Sequence, residues 1–193
     1  TVKAILEKTL NKCNIAADFS KLAGGSRVRS FCVQYGESDF AFISRLMEEE
    51  GIYYFYQQTE DQHILFLCDG PGSHVEGEAS PLVYNPMSST GFKTDYAARF
   101  VLGQTKYLQS WHERVSTGAE AKVTFRDFDF KRPAKSLEVE ADDEAIHPED
   151  AIEIYNYPGR YFKEGEGKNL SKIMLEARRA NRLLYFGESQ IGS

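Results

Sequence analysis

The clearest pattern of hydrophobic and polar residues lies between Ser38 and Gly51. Apolar side chains recur there at the three- and four-residue steps of one helix face: Phe40, Ile43, Leu46 and Met47. Ser38 can cap the amino end of such a helix, and Gly51 can end it in a left-handed conformation. The pattern predicts a helix from about Ser38 to Glu50, packed through the first three of these apolar residues against the segment that follows.

Two further helices are predicted by the same periodicity. The first opens the chain, and its apolar stripe consists of Val2, Ile5, Leu6, Leu10 and Cys13. The second follows Pro158 and Gly159, and its apolar stripe consists of Leu170, Ile173, Met174 and Ala177. Basic residues gather at the carboxyl end of this last helix, where the helix dipole favours positive charge: Arg178, Arg179 and Arg182.

The first half of the chain also contains strand patterns. Residues 52–56 and 63–67 are apolar and aromatic runs on either side of a short polar segment, which is the pattern of a β-hairpin. Residues 28–35 predict a separate strand, whose apolar positions are Val28, Phe31 and Val33. This half of the chain therefore reads as a mixture of helix and strand.

The middle of the chain is rich in strand pattern. Three strands are predicted there, at residues 100–102, 106–115 and 122–130. In the last of them the apolar phase slips by one residue between Phe125 and Phe128, which predicts a β-bulge near Arg126 and Asp127. We expect residues 92–133 to form an antiparallel sheet or a fragment of a barrel.

A segment rich in glycine, proline and serine separates these two regions. It runs from Pro71 to Gly91 and is the best candidate for a connection between domains. Three parts are therefore expected: an α/β subdomain at 1–88, a β-rich, barrel-like subdomain at 89–165, and a closing helix with an exit segment at 166–193. The expected fold class is α+β, with β-barrel-type domains and accessory helices.

Composition and charge argue against several classes of function. The net charge of −6 disfavours a nucleic-acid partner, because such binding depends on clustered lysines and arginines. No apolar run approaches the ~20 residues that span a bilayer, so stable membrane insertion is not expected. The chain starts at Thr1 without a methionine, and we expect it to be part of a longer protein.

Known sequence motifs predict no catalytic, metal or cofactor site. The three cysteines lack the spacing of metal ligands, and we interpret them as buried free thiols: Cys13, Cys32 and Cys68. The four histidines show no paired spacing, and the GxSxG elbow of hydrolases is absent from the sequence. Gly165 and Gly167 open the last helix without the spacing of a phosphate-binding loop, so we interpret them as a glycine-rich lead-in.

Two acidic regions are the places where chemistry would be sought. Residues 138–153 are dominated by aspartate and glutamate, and we interpret them as an exposed loop because the turn glycines of a metal-binding loop are missing. Asp127 and Asp129 lie two apart on a predicted strand and could pair as acid and base. The basic residues around them favour surface ion pairs instead.

Three consecutive glutamates stand at a helix end where the helix dipole disfavours negative charge. Glu48, Glu49 and Glu50 end the best predicted helix, where the dipole disfavours negative charge by about 0.3–1 kcal/mol each. Arg45 lies one turn before Glu49, but such a pair contributes only about 0.2–0.5 kcal/mol. We therefore expect partners from the arginines of the last helix or from a neighbouring subunit, with simple solvation as the alternative.

These four residues, Arg45, Glu48, Glu49 and Glu50, are accordingly the candidate subunit-interface residues. Partial burial at an interface would strengthen the charge pairing and penalise a missing partner. Reversal of the three glutamates to lysine is then expected to weaken assembly while the monomer stays folded.

Five blocks of sequence occur in a recognisable order. FCVQYGESDFAF at residues 31–42 is followed by SRLMEEEGIYY at 44–54. TFRDFDFKRP follows at 124–133, then YPGRY at 157–161 and GES at 187–189. Together these blocks resemble the VgrG family of type VI secretion spike proteins, and the resemblance covers nearly the whole chain.

The resemblance implies a fold related to contractile-phage baseplate hubs, in which β-barrel-like domains with accessory elements form a trimeric ring. It implies a structural spike component, a homotrimer that caps the tail tube, contacts the tube protein and carries effectors, without catalytic residues. Such a protein is assembled in the bacterial cytoplasm and exported by the contractile machine. The needle region that follows this segment in the family is expected to be absent here.

Two alternatives remain open. A prophage tail hub of the late-control D type shares the fold and differs in the machine it serves. An enzyme that uses Asp127 and Asp129, or the acidic residues 138–153, would belong to a different class. A needle region with neighbouring secretion genes would favour the spike, and loss of an activity when both aspartates become alanine would favour the enzyme.

Overall fold

Two helices near the start of the chain and one near its end flank a run of strands in a mixed α+β fold. The computed structural model describes residues 1–25, 27–58, 60–74, 83–84, 107–116, 120–143 and 151–190. Three α-helices lie in these ranges, with a short 3-10 helix at Pro71–Ser73: α1 (Val2–Lys12), α2 (Asp39–Glu50) and α3 (Glu164–Ala180). The first strands are β1 (Ala17–Asp18), β2 (Tyr53–Gln58), β3 (His63–Cys68) and β4 (Val83–Tyr84). The later strands are β5 (Tyr107–Val115), β6 (Glu120–Asp127), β7 (Leu137–Asp142), β8 (Ile152–Asn156) and β9 (Leu183–Gln190).

The described strands form three separate sheets of three strands each. In the first sheet β3 lies between β1, which is parallel to it, and β2, which is antiparallel. In the second, β5 lies between β4 and β9, and in the third β6 lies between β7 and β8. The α+β class is confirmed, and no closed barrel forms among these strands. The antiparallel sheet or barrel fragment predicted for residues 92–133 is not formed by its described strands, because β5 and β6 belong to different sheets. Residues 92–106 and 117–119 lie outside the described part.

The chain divides into two compact units, each built from two separate stretches. The larger unit consists of residues 1–74 and 118–178, and the smaller of residues 75–117 and 179–193. The three consecutive parts expected from the sequence stay a prediction. Strand β9, in the closing segment, pairs with β5, which lies far from it in sequence.

Helix α2 and the hairpin that follows it are present as predicted. Ser38 Oγ accepts a hydrogen bond from the Ala41 amide at 3.1 Å and thereby caps the amino end of the helix. Gly51 ends the helix with a φ of 69°, in the left-handed region that favours glycine. Strands β2 and β3 then pair antiparallel, from Tyr53 opposite Cys68 onwards.

The buried face of α2 is rotated from the predicted one. Its buried apolar residues are Phe42, Ile43, Leu46 and Met47. Phe40 was expected among them, but this prediction is wrong because its side chain is 63% exposed. The helix packs against α1 as well as against the hairpin, and the core that the three elements share lies on the Phe42 side.

Helix α1 buries its predicted stripe only in part. Val2, Leu6 and Leu10 are buried, and Ile5 packs at the edge of the same core. All three cysteines are free, but Cys13 is exposed beyond the end of the helix and Cys32 is half-buried. Burial is therefore confirmed for Cys68 alone.

The strand predicted at residues 28–35 is absent. The segment has neither helix nor strand hydrogen bonding, and its apolar side chains Val28, Phe31 and Val33 are exposed. Its two arginines point the other way, towards α2. The prediction fails because the apolar residues do not face a core of this chain.

Strand β6 ends at Asp127, earlier than predicted. Its ladder with β7 is unbroken to that residue, so the bulge predicted there is wrong. The pairing with β8 shifts register instead between Glu120 and Lys122. The slip in apolar phase reflects the end of the strand, because Phe128 and Phe130 lie beyond it and are exposed.

Part of the acidic stretch predicted as a loop is a strand. Along β7, buried Leu137 and Val139 alternate with outward-facing Glu138 and Glu140. Glu140 lies opposite Thr124 of β6 and reaches diagonally to Lys122, with the carboxylate oxygen 2.8 Å from the ammonium. The acidic side chains thus form the solvent face of a sheet, and residues 144–150 lie outside the described part.

Tyr161 fixes the core between the third sheet and α3. Its buried hydroxyl lies within hydrogen-bond distance of two strand carbonyls, those of Phe125 on β6 and Leu137 on β7. The ring packs against Gly159 and Gly167, and a Cβ at Gly167 would meet a ring carbon at 2.5 Å. The glycine-rich start of α3 therefore exists because an aromatic ring lies against the first turn of that helix.

Replacing Tyr161 by phenylalanine is expected to change how stability depends on pH. Burial raises the pKa of Tyr161 from 10.0 to about 12, a difference on the order of 3 kcal/mol between its protonation states. Between pH 10 and 12 the unfolded chain loses this proton while the folded chain keeps it. The tyrosine's contribution to stability is therefore complete below pH 10 and is lost as the pH rises towards 12.

Denaturant unfolding at pH 8 and at pH 11 measures this effect. At pH 8 the Tyr161→Phe variant should be less stable by about 1–3 kcal/mol, because the strand carbonyls lose their donor. At pH 11 the gap to wild type should narrow by about 1 kcal/mol. Tyr35→Phe, at a position that is 89% exposed, is the matched control and should show the same stability difference at both pH values. An equal gap at the two pH values for Tyr161→Phe would contradict the argument.

Candidate functional site

The buried member of the glutamate run is paired within the chain. Glu50 Oε1 accepts hydrogen bonds from Arg27, from Nη2 at 2.7 Å and from Nε at 3.1 Å. Arg29 Nη2 lies 3.4 Å from the same oxygen. The side chains of Glu50 and Arg27 are only 5% and 14% exposed, so this is a desolvated ion pair.

The other two glutamates differ in how they are compensated. Glu49 is hydrogen-bonded by Arg29, and its Oε1 lies 3.8 Å from Arg45 and 3.9 Å from Arg160. Glu48 is exposed and forms no ion pair with a residue in the described ranges. The four predicted residues therefore meet at one helix end, but only Glu48 presents an uncompensated charge to solvent.

Arg45 has its main partner outside the glutamate run. Its Nη2 lies 2.6 Å from Glu37 Oε1, at the opposite end of α2 from Glu50. The hydrogen bond from Arg45 lowers the pKa of the Glu37 carboxyl below its ordinary value. Arg45 therefore links the start of the helix to Glu49 near its end.

The prediction that the last helix supplies the partners is wrong. Arg178 lies against Glu120, with its Nη1 4.0 Å from the carboxylate. The cations around Glu49 and Glu50 come instead from residues 27–29 and from Arg160. The sequence held a signal for this, because the two arginines alternate with Val28 on a segment predicted to be a strand. The alternation of arginine and valine did not show which of the two kinds of side chain faces the rest of the chain.

The network joins three parts of the larger unit. Arg27 Nη1 donates to the backbone carbonyl of Arg160 at 2.9 Å, which ties the loop after β8 to the end of α2. Burial by itself lowers the pKa of Arg29, but hydrogen bonds and charges from Glu49 and Glu50 raise it above its ordinary value. The guanidinium therefore stays charged, as a buried arginine does. Arg27, Arg29, Glu49 and Glu50 form what we call the arginine brace.

The two aspartates of the enzyme alternative hold backbone and side-chain groups in place. Asp127 Oδ2 accepts hydrogen bonds from the amides of Arg160 at 2.6 Å and Tyr161 at 3.3 Å. Asp129 accepts from Arg132 Nε at 2.9 Å, and this hydrogen bond lowers the pKa of Asp129. The blocks TFRDFDFKRP and YPGRY are thus in contact, because the first aspartate positions the loop of the second block.

A cavity of about 410 Å³ lies between the end of α2 and the apolar side of α3, and its lining includes Leu170, Ile173, Met174, Glu48 and Glu49. Across the described ranges, no group of three or more histidine, cysteine, aspartate or glutamate side chains could hold a metal ion. None of the described helices has both the length and the apolar character needed to cross a membrane.

Within the described part of this mixed α+β fold, the end of α2 carries an internal set of ion pairs. Comparison with known families gives the class directly. The chain belongs to the phage tail baseplate hub family, whose family model matches residues 1–192.

Type VI secretion spike proteins are among the relatives most similar in sequence. VgrG1b of Pseudomonas aeruginosa is 33% identical over 161 residues, which is 82% of this chain and 20% of the relative. VgrG5 of the same organism is 32% identical over 192 residues, 98% of this chain and 23% of the relative. The actin cross-linking toxin VgrG1 of Vibrio cholerae is 30% identical over 190 residues, 98% of this chain and 16% of the relative. The resemblance to the VgrG family is confirmed, and the chain spans about a fifth of the length of these relatives.

Proposed function

We propose that this chain is the hub part of a type VI secretion spike and works as a structural component. The observation that carries the proposal is the family match along residues 1–192, together with similarity to spike proteins over up to 98% of the chain. In this role three copies form a ring that caps the tail tube, contacts the tube protein and supports effector cargo. Assembly takes place in the bacterial cytoplasm, and the contractile machine exports the product.

The arginine brace supports this role because a spike must transmit force without changing shape. The buried carboxylate of Glu50 and the largely buried guanidinium of Arg27 connect the end of α2, the segment at residues 27–29 and the loop at Arg160. Removal of either partner leaves a charge in a place that water reaches poorly, so the three parts hold one arrangement. Asp127 adds a second connection to the same loop.

A prophage tail hub is the second candidate, and the description of the matching family favours it. The relatives that cover most of the chain are spike proteins of a secretion system, which favours the first candidate. One relative is a toxin, but the match covers only 16% of that protein. Asp127 and Asp129, the residues on which an enzyme would depend here, already serve the structure of two turns.

Deletion of the gene tests the proposal in a bacterium with an active secretion machine and no second spike gene. We expect the deletion to stop release of the tail-tube protein into the medium, and the wild-type gene to restore it. Immunoblotting of culture supernatants measures this release. Export that continues unchanged in the deletion strain would overturn the proposal, and loss of phage-like particles instead would support the prophage hub.

A further inference from the structure

Residues 27–33 carry their charged side chains inwards and their apolar side chains outwards. Arg27 and Arg29 are 14% and 13% exposed, whereas Val28, Phe31 and Val33 are 77%, 81% and 48% exposed. An ordinary surface segment shows the opposite order, because burial of charge is costly and burial of apolar surface is favourable. An outward apolar row therefore indicates that something else covers it.

The backbone of the same segment is available for pairing. Across residues 27–35, no backbone group forms a hydrogen bond with another backbone group of the described chain. The carbonyl of Val33 receives a long contact from Arg45 Nη2, at 3.4 Å. Backbone groups that lack a backbone partner, beside outward apolar side chains, are what an added β-strand requires.

The arginine brace holds this segment in place before any partner arrives. Arg27 and Arg29 are fixed by Glu49 and Glu50, so the intervening Val28 is held outwards. A surface that is ordered in advance loses little conformational entropy when it binds. The glutamates at the end of α2 therefore have a structural role, which is to hold residues 27–33 in one conformation.

The exposed apolar surface is large enough to matter for association. Val28, Phe31 and Val33 line a groove of about 460 Å³ together with Phe162, which is 58% exposed. We call Val28, Phe31 and Val33, together with the neighbouring Phe162, the 28–33 edge. An aromatic side chain buries about 150–250 Å², so the edge presents several hundred Å² of apolar surface, compared with about 800 Å² per partner in a standard interface.

We propose that the 28–33 edge is a docking site for a second copy of this chain, whose strand β2 adds to it through main-chain hydrogen bonds. The proposal rests on the proposed function, in which identical copies build the hub. The four residues of the 28–33 edge carry no charge, and the charged residues beside them in the groove are of both signs, among them Arg160 and Glu166. The groove therefore adds little to the repulsion between two copies that each have a net charge of −6.

Strand β2 is the complementary edge because of its position and its composition. It is an outer strand of the first sheet, and its sequence YYFYQQ contains no charged residue. Of the other outer strands, β1 and β4 have only two residues each, and β7, β8 and β9 carry acidic residues that would oppose docking. Contact between two different edges is also the arrangement that a closed ring of three copies needs.

Sedimentation of this chain over a range of concentrations tests the proposal. The wild-type chain should associate, and Phe31→Glu should weaken association about tenfold or more with an unchanged circular-dichroism spectrum. Phe130→Glu is the matched control, since it makes the same charge change at a phenylalanine that is 72% exposed elsewhere on the same unit, and it should associate like wild type. Amide hydrogen exchange should slow with rising concentration at residues 28–33 and 53–58.

Two results would overturn the docking site. One is a wild-type chain that stays monomeric up to millimolar concentration. The other is association that Phe31→Glu leaves unchanged, or that Phe130→Glu weakens equally. Both leave the proposed function standing if export still depends on the gene. The opposite outcome is also possible to observe. If the chain associates through the 28–33 edge but export continues in the deletion strain, the proposed function is wrong and the docking site stands.

Discussion

Replacement of Glu50 by alanine is expected to lower the free energy of unfolding by about 3–5 kcal/mol. The side chain of Glu50 is 5% exposed and receives two hydrogen bonds from Arg27. Without the carboxylate, the guanidinium of Arg27, which is only 14% exposed, loses its counterion, and Arg29 keeps only Glu49. The cost of an unpaired buried charge greatly exceeds the small gain from removing a negative charge at a helix carboxyl end, about 0.3–1 kcal/mol.

Glu48→Ala is the matched control for this prediction. It removes the same charge from the same turn of α2, but Glu48 is exposed. We expect stability to stay unchanged or to rise by a few tenths of a kcal/mol, roughly, because only the dipole term changes. Urea unfolding of the two variants measures the difference, and equal effects would show that the ion pair of Glu50 does not stabilise the fold.

The structure also changes the expected result of reversing all three glutamates to lysine. The sequence predicted weaker assembly with an intact monomer. Since Glu50 is buried between two arginines, a lysine there would place three positive charges together and unfold the monomer. Glu48 alone is exposed enough to serve a neighbouring subunit by charge, so Glu48→Lys is the substitution that tests the proposed interface role of this helix end.

Replacement of Leu46 by alanine is expected to cost about 2–5 kcal/mol of stability. Leu46 is fully buried in the core that α2 shares with α1 and the hairpin, so the substitution removes apolar contacts and leaves a cavity. Phe40→Ala is the matched control, because it deletes a larger side chain from the same helix at a position that is mostly exposed. That variant should stay within about 0.5 kcal/mol of wild type.

Thermal unfolding followed by circular dichroism compares the two variants. If Phe40→Ala destabilised the protein more than Leu46→Ala, the helix would be packed through the face first expected from the sequence and the orientation of α2 would be wrong. The order of the two effects therefore reports directly on which side of the helix the core lies.

Local signals in the sequence located the helices and the hairpin. Ser38 and Gly51 set the ends of α2 because a side-chain cap and a left-handed glycine act within one turn of the backbone. The alternation of Leu137 and Val139 with glutamates was an equally local signal for β7, and the acidic composition obscured it. A period of two should have outweighed composition there, because side chains on successive strand positions face opposite sides.

The sequence by itself determined the α+β class, the ends of α2, and the family to which the chain is similar, since each depends on residues close together in the chain. Only the tertiary structure decided which residues compensate the glutamates, why Gly167 opens α3, and which side of residues 27–33 faces outwards. Arg27 reaches Glu50, and Tyr161 lies against Gly167, through folding of the chain in space. A helix or strand pattern shows that a residue has two sides, but the partner on each side is fixed by packing against distant segments.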